Sequence, residues 1–157
     1  MVTLELILQV LAAAIATACF SLLFGVPPRY APFSGLIGGS GWLFYLLFAG
    51  ITTATIATFL STCCVILMSR WFAVFKRCPV TIFLIAGIIP LVPGASTYWA
   101  AYYIVSGKLP LASYKGFEAL KLAVAIVLGI VFVFEIPEKF FHIGLKKRRP
   151  KTIKEEI

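Results

Sequence analysis

Charged residues are scarce in this sequence, and acidic residues are the scarcest. Only 13% of the 157 residues are charged, aspartate is absent, and His142 is the single histidine. A soluble domain carries roughly a quarter charged residues, whereas this chain is 61% hydrophobic. Its apolar runs approach or exceed the ~20 residues that cross a bilayer. The composition excludes a water-soluble globule and predicts an integral membrane protein.

The cysteines are few, and their spacing is wrong for a metal site or a disulfide framework. Cys19, Cys63, Cys64 and Cys78 form no CxxC pair, and three of them lie in apolar stretches. Such cysteines are usually small buried hydrophobic residues. We therefore expect no metal and no cofactor.

Basic residues outnumber acidic ones, and the net charge is +8. In a soluble protein this excess would suggest a nucleic-acid partner. Here seven of the fourteen basic residues lie between Lys139 and Lys154 and the others lie near helix ends, which is typical of cytoplasmic membrane loops. We expect a transmembrane domain at 1–137, a basic cytoplasmic tail at 138–157, a lipid partner and no nucleic acid.

The apolar segments predict an all-α, polytopic fold with about five transmembrane helices. The predicted spans are 4–26, 33–48, 51–68, 80–105 and 118–136. Prolines end the first and the last span because proline cannot continue a helix. Gly50 is only a weak break, so the sequence leaves open whether the second and third helices are separate.

The distribution of basic residues between loops predicts the orientation. Five spans put the termini on opposite sides, and most lysines and arginines then fall on the side of the C-terminus. Positive charge concentrates on the cytoplasmic side. We expect the N-terminus outside and the C-terminus cytoplasmic, with Arg29 and Arg70 fixing cytoplasmic helix ends.

Two prolines and a glycine interrupt the fourth predicted helix. Pro90 and Pro93 remove backbone donors, and a new half-helix can begin near Gly94. Counted from Val80, the break lies roughly 15–20 Å deep, near the midplane. A half-helix N-terminus there suits a carboxylate. The predicted substrate path comprises Pro90, Pro93, Gly94, Ser96, Thr97 and Tyr98; the alternative is a plain proline kink.

A polar stripe on the third helix is a second candidate for the path. Thr55, Thr58, Thr62 and Ser69 fall on one face of a helix. The first three could line a hydrophilic route. Hydrogen bonding between or within helices is the alternative interpretation of the same stripe.

The second helix is rich in glycine. Gly35, Gly38, Gly39 and Gly41 allow another helix backbone to approach closely, so we expect them to serve packing. The same stretch matches the GxSG pattern of rhomboid-type intramembrane proteases at Ser40. A serine nucleophile needs a base within hydrogen-bond reach, and His142 lies beyond the last predicted span. The sequence therefore argues against an enzyme.

Several of these motifs together resemble one membrane protein family. The matching segments are GVPPR at 25–29, LIGGSG at 36–41, SRW at 69–71, Pro79, and IIPLVPG at 88–94 followed by Tyr98. The chain resembles the small, YjjB-like subunit of the bacterial threonine/serine exporter family. The resemblance implies a larger membrane subunit as partner and a cargo of threonine and serine, or of succinate, which one two-component relative exports.

The scarcity of ionisable groups inside the spans agrees with a partner. Proton-coupled transport usually needs a buried acid or histidine, yet Glu5, Glu118 and Glu135 sit near predicted helix ends. Either one of these glutamates serves in coupling or, as we expect, the coupling residues belong to another polypeptide, and the proton motive force drives export. A non-transporting scaffold or assembly subunit, or a homo-oligomer that builds a path from identical chains, remains an alternative.

Overall fold

The computed structural model describes residues 2–136, and every regular element in that range is a helix. The elements are α1 (Val2–Leu23), α2 (Ala31–Ala49), α3 (Ala54–Lys76), α4 (Thr81–Ile88), a 3₁₀ turn (Ile89–Leu91), α5 (Gly94–Val105) and α6 (Leu109–Phe134). The predicted tail at 138–157 lies outside the described residues. The all-α prediction is confirmed, and α2 and α3 are separate helices joined by residues 50–53.

Four helices are long and apolar enough to cross a membrane, and a bent pair supplies a fifth span. The four are α1, α2, α3 and α6; the pair is α4, with its 3₁₀ turn, and α5, which meet at 51°. The break predicted in the fourth helix is therefore present, and it lies at Pro90 and Pro93. The polytopic prediction is confirmed.

The packing of α3 against α6 indicates that the bent pair crosses the membrane once. Thr62 of α3 lies beside Gly129 of α6. Further along both helices, Arg70 Nη1 donates a hydrogen bond of 2.6 Å to the Val133 carbonyl. The two helices thus run in the same direction. The chain must cross back between them, which excludes a re-entrant loop and gives five crossings.

Four helix ends differ from the predicted spans by three residues or more. Helix α1 ends at Leu23 rather than 26, α3 begins at Ala54 rather than 51 and continues to Lys76 rather than 68, and α6 begins at Leu109 rather than 118. The predicted ends were placed where the sequence becomes less hydrophobic. A polar residue does not end a helix, however, whereas a change of backbone conformation does. Gly25, with φ of 74°, ends α1 before the prolines.

Backbone hydrogen bonds at the new ends explain why they fall there. After α1, the Val26 N–H bonds the Ser21 carbonyl at 3.0 Å, which is the Schellman closure that needs a left-handed residue at Gly25. Gly107, with φ of 70°, closes α5 in the same way. Pro110 sits in the first turn of α6, where a missing N–H is harmless.

The core lies between α2, α3, α4 and the middle of α6. Its buried hydrophobic members are Ile37, Val65, Ala73, Phe83, Leu91 and Ile126. Helix α1 packs against α2 and keeps most of its surface exposed. Helix α5 packs against α6 and contains no buried residue. The bundle is therefore closed around α4 and open around α5.

Candidate functional site

The break between α4 and α5 is built by two prolines that withhold backbone donors. At Pro90, the first of the two, the α-helix gives way to a 3₁₀ turn at Ile89–Leu91, in which the Val92 N–H bonds the Ile89 carbonyl at 3.2 Å. Val92 is extended, with φ of −60° and ψ of 134°, so the chain leaves the helical path there. Helix α5 then starts at Gly94 in a new direction. The chemistry of proline fixes this geometry locally.

The height of the break can be read from α3. A Cβ on Gly87 would lie 3.1 Å from Val65 Cγ1, and Val65 is at the middle of α3. The break follows Gly87 by four to seven residues, which is roughly 6–10 Å further along. It lies toward the outer end of the bundle, which we define as the end where α3 begins at Ala54.

The first turn of α5 faces away from the rest of the chain. A Cβ on Gly94 would meet nothing within 4 Å. Thr97 is exposed, and its hydroxyl donates to the Pro93 carbonyl at 2.9 Å. Ser96 is half-buried, and Tyr98 is 63% exposed. The predicted path residues of α5 thus lie in and just after a first turn that is open at Gly94.

Four aromatic rings form a packed cluster along α5, beyond its first turn. Trp99 packs against Tyr98, Tyr102 and Tyr103 with ring centroids 5.5, 5.6 and 5.9 Å apart. Tyrosine and tryptophan favour surfaces that are apolar on one side and polar on the other. The sequence analysis did not single out this cluster, although the spacing of the four rings signals it.

The threonines of α3 do not stay together as one surface. Thr58 and Thr62 are buried inside the bundle, and their hydroxyls donate within α3, each at 2.8 Å, to the carbonyls of Ala54 and Thr58. Thr55 is half-buried and lines a groove of about 450 Å³ between α3 and α6. Within this chain the stripe therefore belongs mainly to packing, and Thr55 alone among the three faces open space.

The glycines of α2 lie against neighbouring helices. A Cβ on Gly35 would lie 2.8 Å from the Ala14 carbonyl of α1, and one on Gly39 would lie 2.9 Å from Ala14 Cβ. A Cβ on Gly38 would overlap Thr17 of α1, and one on Gly41 would overlap Val65 of α3. All four positions are buried.

Ser40, the serine of the protease-like pattern, is engaged in ordinary helix packing. Its hydroxyl donates to the Ile37 carbonyl at 2.9 Å and lies 3.3 Å from Met68 Sδ. His142, the base that a hydrolase would need, lies outside the described residues. The described contacts of Ser40 give no sign of an activated nucleophile.

Arg70 and Arg29 occupy the opposite, inner end of the bundle. Arg70 is 6% exposed, and besides Val133 it bonds the Ile136 carbonyl at 2.9 Å, so it caps the end of α6. Arg29 is exposed and stacks on the Tyr30 ring at 4.7 Å. Burial raises the pKa of the nearby Cys78 thiol, and the positive charge of Arg29 partly opposes that shift.

A bundle of apolar helices in which prolines break one span defines a polytopic membrane protein. The sequence pattern described as "Threonine/Serine exporter, ThrE" matches residues 9–136. The chain belongs to this threonine/serine exporter family, which is a family of transporters and not of enzymes. No solved structure matches the chain.

Proposed function

We propose that this protein is the small subunit of a two-component secondary exporter of small carboxylate-bearing metabolites. The cargo is threonine and serine, or a dicarboxylate such as succinate, and the proton motive force drives export. The protein lies in a bacterial inner membrane with its N-terminus outside and its C-terminus cytoplasmic. One observation carries the proposal: the first turn of α5 at Gly94 is open and has no opposing wall within the described chain.

A carboxylate fits the start of α5. The Gly94 N–H bonds the Val92 carbonyl at 2.7 Å, and the next amides of α5, at Ala95 and Ser96, have no preceding helical turn to bond, while the helix dipole adds partial positive charge there. Anions bind at such helix starts. Ser96 lies in the first turn and Tyr98 follows it, and a hydroxyl can donate to a polar substrate. Threonine, serine and succinate all carry the carboxylate that this arrangement recognises.

The acidic residues of the described chain support a partner for proton coupling. Glu5 lies in the first turn of α1, and Glu135 follows the last turn of α6. Glu118 pairs with Lys115 at 2.7 Å on the surface. Within residues 2–136 no acid lies in the core where a proton-coupled step needs one. A larger subunit that covers α5 would supply both the missing wall and the acid.

The test is efflux of labelled serine, threonine and succinate from cells that express this chain with and without the larger subunit. We expect export of at least one substrate only when both subunits are present, and loss of export when an uncoupler collapses the proton gradient. If both proteins reach the membrane and no gradient-dependent export occurs, the non-transporting scaffold replaces the exporter.

Two leucine substitutions separate the α5 site from general effects on folding. Gly94 and Gly116 both have open space within the chain where a side chain would begin, so Gly94→Leu and Gly116→Leu should both fold, and co-purification with the larger subunit checks that each still assembles. Gly94→Leu places a bulky side chain where substrate would approach the helix start, and export should fall at least about tenfold. Gly116→Leu is the matched control and should retain export. Equal export by the two variants would contradict a site at Gly94.

A further inference from the structure

An open groove runs between α3 and α6 in the outer half of the bundle. It has a volume of about 450 Å³, and all of its lining residues belong to these two helices. The principal apolar lining residues are Ile56, Phe59, Phe117, Leu120, Val124 and Leu128. Five of these six side chains are roughly half exposed or more, so the groove opens away from the chain rather than into its core. In a membrane protein an exposed apolar surface of this kind faces lipid or a partner.

Two polar residues, Thr55 and Lys121, also line the groove, and they lie at nearly the same height. Val65 is the middle residue of α3, whose 23 residues span about 34 Å. Thr55 precedes Val65 by ten residues, so it lies about 15 Å outward of that middle. Thr62 of α3 lies beside Gly129 of α6, and Lys121 precedes Gly129 by eight residues. Lys121 therefore lies roughly 15–17 Å outward of the middle of α3.

These heights coincide with the boundary between lipid tails and headgroups. The hydrocarbon layer is ~30 Å thick, so its half-thickness is ~15 Å, which is the height of Thr55 and Lys121. Phe59, Val124 and Leu128 lie inward of that boundary, over roughly 10 Å of depth. The groove is thus polar where headgroups lie and apolar where acyl chains lie. A phospholipid carries its groups in the same order.

The positive charge of Lys121 calls for an anion from outside the described chain. Glu118, one turn earlier on α6, pairs with Lys115 at 2.7 Å, and Lys121 forms no ion pair within residues 2–136. Lys121 Nζ instead lies 5.4 Å from the centroid of the Phe117 ring. An ammonium group and a hydroxyl group both donate hydrogen bonds to phosphate oxygens. Lys121 and Thr55 together therefore suit a phosphate group that keeps its negative charge.

We propose that the groove between α3 and α6 binds one anionic phospholipid of the leaflet at the outer end of the bundle. Lys121 holds the phosphate, Thr55 donates a hydrogen bond to the headgroup, and one acyl chain lies along Phe59, Val124 and Leu128. A zwitterionic phospholipid is the weaker ligand, because its own ammonium group offsets the attraction of Lys121 for the phosphate. This site does not depend on the proposed transport activity.

Native mass spectrometry of the full-length, delipidated chain tests the headgroup contact. The dissociation constants of phosphatidylglycerol and of phosphatidylcholine with the same acyl chains are measured side by side. We expect Lys121→Gln to weaken phosphatidylglycerol binding about fivefold, the contribution of one lysine near an anionic lipid surface, and to leave phosphatidylcholine binding unchanged. Lys108→Gln is the matched control, because Lys108 precedes α6 and does not line the groove, so both lipids should bind as they do to the unaltered chain.

Tryptophan substitutions on α6 test the acyl-chain contact. Val124→Trp fills the groove and should weaken the binding of both lipids at least about fivefold. Val127→Trp makes the same change on an exposed part of α6 that does not line the groove, and it should leave both dissociation constants unchanged. Thermal unfolding checks that all four variants are folded.

Three outcomes overturn the proposal. In the first, the two variants of either matched pair bind phosphatidylglycerol alike. In the second, the soluble headgroup glycerophosphoglycerol binds as tightly as the intact lipid, which makes the groove a site for free phosphate esters. In the third, Val124→Cys cross-links in native membranes to another polypeptide or to a second copy, which assigns the groove to a protein. Export can succeed or fail in each of these cases, so the proposed function is tested separately.

Discussion

The contact between α1 and α2 makes a quantitative prediction at Gly38. A methyl group at this position would overlap the side chain of Thr17, which is fully buried. Thr17 cannot turn away freely, because its hydroxyl donates to the Ala13 carbonyl at 2.7 Å. One turn away, Gly35 holds the α1 backbone close, with the Ala14 carbonyl 2.8 Å from where a Cβ would stand. Gly38→Ala therefore forces the two helices apart.

The expected loss follows from two opposing terms. Overpacking a tight contact costs about 1–3 kcal/mol, whereas glycine to alanine within a helix gains about 0.5–1 kcal/mol. The net destabilisation of Gly38→Ala is roughly 1–2 kcal/mol. Gly116→Ala makes the same chemical change where a Cβ meets nothing within 4 Å. Gly116→Ala should keep the stability that alanine gains over glycine in a helix. The changes in the free energy of unfolding should therefore have opposite signs in the two variants.

Thermal unfolding of the purified protein in lipid nanodiscs measures the difference. We expect a lower midpoint for Gly38→Ala and an unchanged or higher one for Gly116→Ala. Thr17→Gly removes the atoms that the new methyl group meets. In that background Gly38→Ala should cost clearly less, and a double-mutant cycle gives the coupling energy. Equal stability of Gly38→Ala and Gly116→Ala would refute the close packing of α1 on α2.

Three further predictions follow from single side chains. Arg70→Ala removes two charge-assisted hydrogen bonds to the end of α6 and should destabilise the protein by roughly 3 kcal/mol. Arg70→Lys should lose less stability, and proteolysis and thermal unfolding measure the stability of both variants. Thr62→Val removes one hydrogen bond within α3, so it should lower stability by no more than about 1.5 kcal/mol and leave export intact. A selective loss of efflux would put Thr62 on the path. Burial raises the pKa of Cys78, so less thiolate is present at neutral pH and maleimide labelling should quicken as pH rises. An impermeant maleimide should reach Cys78 from the cytoplasmic side, and labelling from outside would reverse the proposed orientation.

Features that depend on local chemistry were predictable from the sequence. The break in the fourth span follows from Pro90 and Pro93, whose missing donors act in any surroundings. The all-helical fold follows from apolar length, because lipid cannot satisfy an exposed backbone. These predictions needed no knowledge of which helices are neighbours.

Features that depend on neighbours could not be predicted in the same way. Thr55, Thr58 and Thr62 share a helix face, yet packing buries Thr58 and Thr62, the latter against Gly129 of α6, and leaves Thr55 on a groove. Lys121 lies three residues inside the span predicted at 118–136, so the sequence puts it near a helix end. The helix in fact begins at Leu109 and carries Lys121 into the wall of a groove. The surroundings of the threonines and of Lys121 depend on which helices pack together. A single sequence does not show this pairing.

Some surfaces of the bundle are already covered by its own helices and others are exposed, and this difference indicates where the proposed larger subunit would bind. The glycines of α2 would be an attractive place for a foreign helix, but α1 and α3 of the same chain already occupy them. Helix α5 has no buried residue, carries four packed aromatic rings, and begins at an open glycine. A partner that covers α5 would bury these rings and enclose the start of the helix in a single step. The surface that most needs a partner is thus the one that lines the proposed substrate site.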